Sequence, residues 1–147
     1  MAKSYYSTVF GQSADAIWSV IRDFNNYPVW VEGAGDSRIE AGKSGDTVGA
    51  VRNVHYAGRQ IRQQLLALSD VERSKSYRFA DESGLPVQNL RVTLRVTPVV
   101  DGGGAFVEWW ATFDCAPAQR DEKTAFYRDA FAGWLESLRR HLERQAA

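Results

Sequence analysis

The spacing of apolar residues changes character twice along this chain. Residues 4–10, SYYSTVF, read as a first strand. Gly11, Gln12 and Ser13 then turn the chain, and Ser13 is suited to cap a helix over 14–24. Its Ile17, Trp18, Ile21 and Phe24 recur at helical spacing. Asn25, Asn26 and Pro28 end that helix, and 27–31 reads as a short second one carrying Trp30. From residue 36 the period becomes two, predicting strands at 36–41, 47–56, 60–70, 75–81, 89–99 and 105–115. Turn signals separate them: GKSG at 42–45, AG at 57–58, SGLP at 83–86 and DGGG at 101–104. Short links between successive strands predict an antiparallel meander. The period then returns to that of a helix over 120–145, with Phe126, Tyr127, Ala130, Phe131, Trp134, Leu135, Leu138 and Leu142 in a broad apolar stripe.

That stripe needs a cover, and only one face of the sheet offers it. The pattern therefore predicts an α+β chain in which a seven-stranded curved antiparallel sheet wraps around a long C-terminal helix, with two short helices after the first strand. The 147 residues fit one domain, 1–147. A sheet curled around one helix leaves its wide end incompletely closed, and such mouths favour ligand cavities.

Composition sharpens this picture in three places. Lys and Arg balance Asp and Glu at 18 each, without the basic excess expected of a nucleic-acid binder. A neutral chain repels its copies weakly, so monomer or homodimer is expected. The one cysteine, Cys115, rules out an intramolecular disulfide, and MAKSYYSTVF lacks the features of a signal peptide. With no apolar run of membrane-spanning length, the expectation is a cytoplasmic protein without membrane insertion. Five Trp, six Tyr and seven Phe suit a core or an apolar pocket equally well.

The order of elements carries a resemblance, together with Trp18, FNNYPVW at 24–30, GAVR at 49–52, VTLRVTPV at 92–99, VEWWATFD at 107–114 and the final aromatic–leucine helix. Over nearly its whole length the chain resembles the START-like (SRPBCC) superfamily with its helix-grip fold, and within it the bacterial polyketide cyclase/dehydrase-type proteins. Abscisic-acid receptors, the birch-pollen allergen family and lipid-transfer domains are more distant relatives. The resemblance implies a cavity and a small, largely apolar ligand, but no single reaction.

It also implies where to look. Arg52, Val54 and Tyr56 would share the cavity side of one strand, where an arginine can hold a carboxylate or enolate oxygen; the alternative turns Val51 and Asn53 inward. Arg62 and Gln64 would continue the polar part of the cavity unless Ile61 and Leu65 face in. Tyr77 and Phe79 share a face and should point inward. Apolar pattern turns Glu108 and Trp110 outward and Trp109 inward; resemblance to the abscisic-acid receptors turns Glu108 inward, as a partner for Arg52, and brings Trp110 of the same face into the cavity with it. Phe126, Ala130 and Trp134 would form the helical wall, with Trp30 near the mouth.

Familiar catalytic patterns are missing. His55 and His141 lack metal-ligand neighbours, no serine nucleophile elbow occurs, and Gly102–Gly104 reads as a hairpin turn rather than a phosphate loop. No metal or cofactor is implied. Two functions stay open: a binding module for a lipid-, polyketide- or aromatic-like molecule, and a polyketide aromatase/cyclase or dehydratase using Arg52, Tyr56 and Glu108 to stabilise enolates. A third is a regulatory protein whose pocket is filled by its own tryptophans.

Overall fold

The computed structural model describes residues 1–146. Strand β1 (Ala2–Phe10) leads into helices α1 (Ala14–Ile21) and α2 (Tyr27–Trp30). Strands β2 (Ala34–Ile39), β3 (Val51–Tyr56), β4 (Arg59–Ser69), β5 (Ser74–Phe79), β6 (Gln88–Pro98) and β7 (Ala105–Asp114) follow, and helix α3 (Arg120–Ala146) closes the chain. The sheet order is β1-β7-β6-β5-β4-β3-β2, antiparallel at every pairing. The two short helices thus carry the chain from one end of the sheet to the other, and the strands return it by hairpins. This is the helix-grip arrangement expected from the pattern.

Alternation decides which side of the sheet is inside. On β7, Ala105, Val107, Trp109, Ala111 and Phe113 are buried, and on β6 Leu90, Val92, Leu94 and Val96 are. Register shifts interrupt the β2–β3, β4–β5 and β6–β7 pairings. Such irregularities bend strands, and here they accompany a sheet that curls around α3.

α3 has 27 residues and is therefore about 40 Å long. Its inward row is Tyr127, Phe131, Trp134 and Leu138, not the expected row through Phe126 and Ala130. Phe126 is 62% exposed and Ala130 half-buried. The physical reason is helical geometry: repeated steps of four advance the row by about 40° each, whereas alternating four and three keeps it straight.

α1 is shorter than expected, ending at Ile21 rather than Phe24. Ser13 caps it, its Oγ accepting from the Ala16 amide at 3.1 Å. Its last turn contains no basic residue. Two basic side chains from the sheet serve that region instead: Lys75 Nζ donates to the Ile21 carbonyl at 2.6 Å, and Arg52 Nη1 to the Phe24 carbonyl just beyond the helix at 2.8 Å. Positive groups at a helix C-terminus oppose its dipole and satisfy its free carbonyls. Gly45 also packs here, where any side chain would collide with the Asp23 carboxylate, while its carbonyl accepts from the Phe24 amide at 2.8 Å. α2 is pinned to α3 by Ser137, whose hydroxyl donates to the Trp30 carbonyl and accepts from the Glu32 amide at 2.9 Å.

The outer rim of the fold rests on ion pairs. Asp70 accepts from the Trp18 indole at 2.7 Å and from Arg22 at 2.9 and 3.0 Å. Arg22 first and Trp18 second hold its carboxyl down at about 2, against an ordinary 3.8. Arg62, then Asn53, does the same for Glu40, at about 2 against 4.5. Depressed carboxyls contribute stability above their ordinary values and lose it as pH falls toward their folded values. Both sites are well exposed to solvent, so each contribution is small. The expected result is a melting temperature that falls as pH drops from about 4 toward 2. Asp70→Asn should lower the neutral-pH melting temperature slightly and flatten that acid limb, checked by thermal melts across pH.

Candidate functional site

Between the concave face of the sheet and the first half of α3 lies a cavity of about 70 Å³. Its lining is almost wholly apolar and aromatic: Tyr27, Val31, Val54, Tyr56, Ile61, Gln63, Tyr77, Phe79, Leu90, Val92, Tyr127, Phe131 and Trp134. Burial orients it. Tyr56, Ile61, Phe79, Tyr127 and Trp134 are half-buried and form the outer rim, while Tyr27, Val54, Gln63, Tyr77, Val92 and Phe131 are buried and form the inner end. Typical ligand pockets measure about 300–1,000 Å³, so this interior is mostly filled. Trp109 packs into this interior, its ring centroid 5.0 Å from Phe131, 5.3 Å from Trp134 and 5.8 Å from Trp30.

Hydrogen bonds mark both ends. At the rim, Trp134 Nε1 donates to the Tyr56 hydroxyl at 2.9 Å, and the rings meet edge to face at 5.6 Å. The bond joins β3 to α3 and closes the cavity on that side. At the inner end the Tyr27 and Tyr77 hydroxyls share a hydrogen bond of 2.9 Å. Burial, then the neighbouring Tyr27, raises the Tyr77 hydroxyl well above its ordinary pKa, so it stays protonated.

Arg52 faces inward but sits behind the cavity wall rather than in it. It is fully buried, and its guanidinium carbon lies 3.6 Å from the Tyr27 ring centre, 3.9 Å from Phe24 and 5.0 Å from Tyr77. Nε donates to Gln63 Oε1 at 2.7 Å, and Nη2 has no partner. Lys75 is 1% exposed on the same face, 5.8 Å from the Tyr27 ring centre. Burial first, and the Arg52 charge second, push its ammonium well below the usual lysine range.

Several expected site residues stand elsewhere. Glu108 points to the outer face, where it accepts from the Tyr5 hydroxyl at 2.7 Å and from Arg95 at 2.9 and 3.0 Å. Its partner is therefore Arg95, not Arg52. Trp110 lies on that outer face too, stacked on Tyr5 at 6.3 Å and flanked by Lys3 and Arg95. The alternation of β7 explains both: turning Glu108 inward would drive Val107, Trp109, Ala111 and Phe113 into water. Gln64 points outward as well, accepting from Arg78 Nε at 3.1 Å, because Ile61, Gln63 and Leu65 hold the inner face of β4. Trp30 is only 2% exposed and packs behind Tyr27, away from the rim. Phe126 and Ala130 are displaced from the wall by Tyr127 and Phe131. Val54, Tyr56, Tyr77, Phe79 and Trp134 line the cavity.

Tyr27, Gln63 and Lys75 were not among the expected site residues. Lys75 shares strand parity with Tyr77 and Phe79, and Gln63 with Ile61 and Leu65, so alternation pointed to both. For Tyr27, no sequence signal separated pocket from core. Of the histidines, His55 lies on β3's outer side and His141 is buried on α3.

A curved sheet gripping a helix over a small aromatic cavity defines a helix-grip protein. The model of the family described as polyketide cyclase/dehydrase and lipid transport matches residues 1–146, and the chain belongs to that family. A search of curated proteins gave no significant match. Among solved structures, XoxI from Bacillus cereus is similar, with a TM-score of 0.83 and 25% identity over 95% of this chain and 94% of that one. A protein from Thermobifida fusca is 27% identical with a TM-score of 0.83, covering 96% and 93%. The di-domain aromatase/cyclase BexL of the BE-7585A biosynthetic pathway shares the fold, with a TM-score of 0.82 at 14% identity, over 97% of this chain and 47% of that one. No helix among the described residues is long and apolar enough to cross a membrane.

The rim hydrogen bond generates a direct test. Tyr56→Phe removes the acceptor for Trp134 and keeps the ring. It should cost about 0.5–1.5 kcal/mol of stability. The indole should also become more accessible to acrylamide, read as increased quenching of tryptophan fluorescence.

Proposed function

We propose that this chain binds one small, largely apolar molecule in the interior between sheet and α3. The observation that carries the reading is the cavity's lining: nearly all apolar or aromatic, with a few polar side chains, Tyr27, Tyr77 and Gln63 at its inner end and Tyr56 at its rim. Burial of apolar ligand surface supplies the affinity, and the few polar groups supply orientation. The family's description, which names lipid transport beside cyclisation, supports a carried molecule. The present volume suits a single small group. A larger ligand needs Trp134 to swing outward, and the half-buried position of its ring and its single hydrogen bond to Tyr56 favour that movement.

The aromatase/cyclase reading draws its support from the family description and from the name of BexL, a likeness of fold alone. The geometry favours binding over it. Acid–base work on a polyketide needs a group that exchanges protons near neutral pH. Glu108 lies outside, and among the described residues no carboxylate or histidine lines the cavity. A pocket merely filled by its own tryptophans is the blander alternative, and the residual cavity speaks against it.

Titration with the neutral fluorophore N-phenyl-1-naphthylamine separates a ligand-binding cavity from a pocket filled by its own side chains. Saturable emission with about one site per chain is expected. Val54→Trp, which fills the cavity from β3, should reduce binding at least about tenfold while the protein still melts cooperatively. Non-saturable emission, or binding indifferent to Val54→Trp, would sink the proposal.

A further inference from the structure

The convex face of the sheet, opposite α3, carries positive charge that has no local counterpart. Residues paired across the strands form rows, and one row runs Lys3, Thr112, Arg91, Arg78 and Gln64 over β1, β7, β6, β5 and β4. Lys3, Arg91 and Arg78 are exposed, and among the described residues none of the three forms an ion pair. Arg78 and Arg91 stand directly opposite each other, a placement that destabilises a sheet when the charges are alike. Arg78 donates to Gln64 Oε1 at 3.1 Å and to the Phe79 carbonyl at 3.3 Å, bonds that leave its charge uncancelled. Beyond Gln64 the track continues through Arg62 to Arg38, both exposed and both level with Asn53. It thus crosses the sheet from β1 to β2, six strand spacings or about 29 Å.

The row itself contains no carboxylate. Those near it are engaged: Glu108 by Tyr5 and Arg95, Glu40 by Asn53 and Arg62, Asp114 by Asn89 and the N-terminal ammonium. Asp36 lies apart on the edge strand β2. The chain's total of 18 basic and 18 acidic residues therefore averages over unlike surfaces.

Shape and polarity select the partner. Stable protein interfaces centre on aromatic or aliphatic anchors, and this row presents no exposed apolar side chain. Nucleic-acid interfaces are polar and strongly positive instead. A flat bilayer or a stiff duplex meets a convex sheet over little area. A flexible single strand can follow the curve.

We propose that the convex face binds the sugar–phosphate backbone of a single-stranded nucleic acid, with Lys3, Arg91 and Arg78 each meeting a phosphate and Arg38 extending the track. The site is separate from the cavity and independent of what the cavity holds.

Fluorescence anisotropy of the full chain with labelled oligouridine or oligothymidine of about twelve nucleotides tests this. Saturable binding is expected at about 50 mM salt, weakening with salt at a log–log slope of about −2, for three phosphates at about −0.7 each. Binding of either strand supports the site, and the tighter one names its source. Arg78→Gln combined with Arg91→Gln should weaken binding about tenfold or more and make the slope shallower by about 1.4. Arg128→Gln combined with Arg144→Gln removes the same charge from α3 and should change affinity less than about threefold. Uptake of N-phenyl-1-naphthylamine, measured in parallel, should be the same in both variants as in the parent chain. No saturable binding to either strand overturns the proposal, as does an equal loss in the two double variants. So does equally tight binding of a duplex, of polyglutamate or of phosphatidylglycerol vesicles, which would point to a different partner. None of these results bears on the apolar cavity.

Discussion

A guanidinium buried without a carboxylate is the constraint around which the interior is built. Arg52 reaches from β3 to the carbonyl of Phe24 just beyond α1, and lies against the rings of Phe24 and Tyr27. Lys75 reaches the Ile21 carbonyl from β5. Between them the two basic side chains tie the end of α1, which has no basic residue of its own, to the concave face of the sheet. The same placement puts positive charge behind the tyrosines that form the inner wall of the cavity. One arrangement thus joins the crossing segment to the sheet and sets the polarity of the pocket.

The rest of the interior is a contest between packing and space. Trp109 contacts Trp30, Phe131 and Trp134, and these rings occupy most of the volume a curved sheet would otherwise leave open. Close packing of this kind stabilises strongly, since each large aromatic removes much apolar surface from water. The residual space lies toward the rim, where Tyr56 and Trp134 are only half-buried and joined by one hydrogen bond. The rim is therefore the part of the pocket wall with the least burial holding it in place.

Glu108 shows how local chemistry and sheet geometry divide responsibility. Its neighbours on β7 demand that Val107, Trp109, Ala111 and Phe113 face α3, and alternation sends Glu108 to the other side. There the carboxylate is still largely buried, beneath Tyr5 and Arg95, with Trp110 beside them. A carboxylate set among aromatic residues is thus no sign of an interior site. Gln64 follows the same rule on β4, and Gln63 takes the inner place. Strand parity, weighed over whole strands, was legible for both. The likeness to distant relatives pointed the other way for Glu108 and Gln64, because it carried positions across without the apolar pattern of these strands.

The amino-acid sequence by itself determined the element order, the antiparallel meander, the burial of an aromatic helix against one sheet face, and the inward placing of Tyr77 and Phe79. These follow from periodicity, which is local. Only the tertiary structure decided that Tyr127 and Phe131, rather than Phe126 and Ala130, face the cavity, since the stripe is wide enough to allow either row. It also decided that Arg52 pairs with Gln63 and a backbone carbonyl, that Glu108 pairs with Arg95, and that Lys75 and Tyr27 join the inner cluster. Those partnerships link residues far apart in the chain, and curvature, bulges and helix docking fix them. Periodicity specifies which side of an element is buried; only the assembled fold specifies what it is buried against.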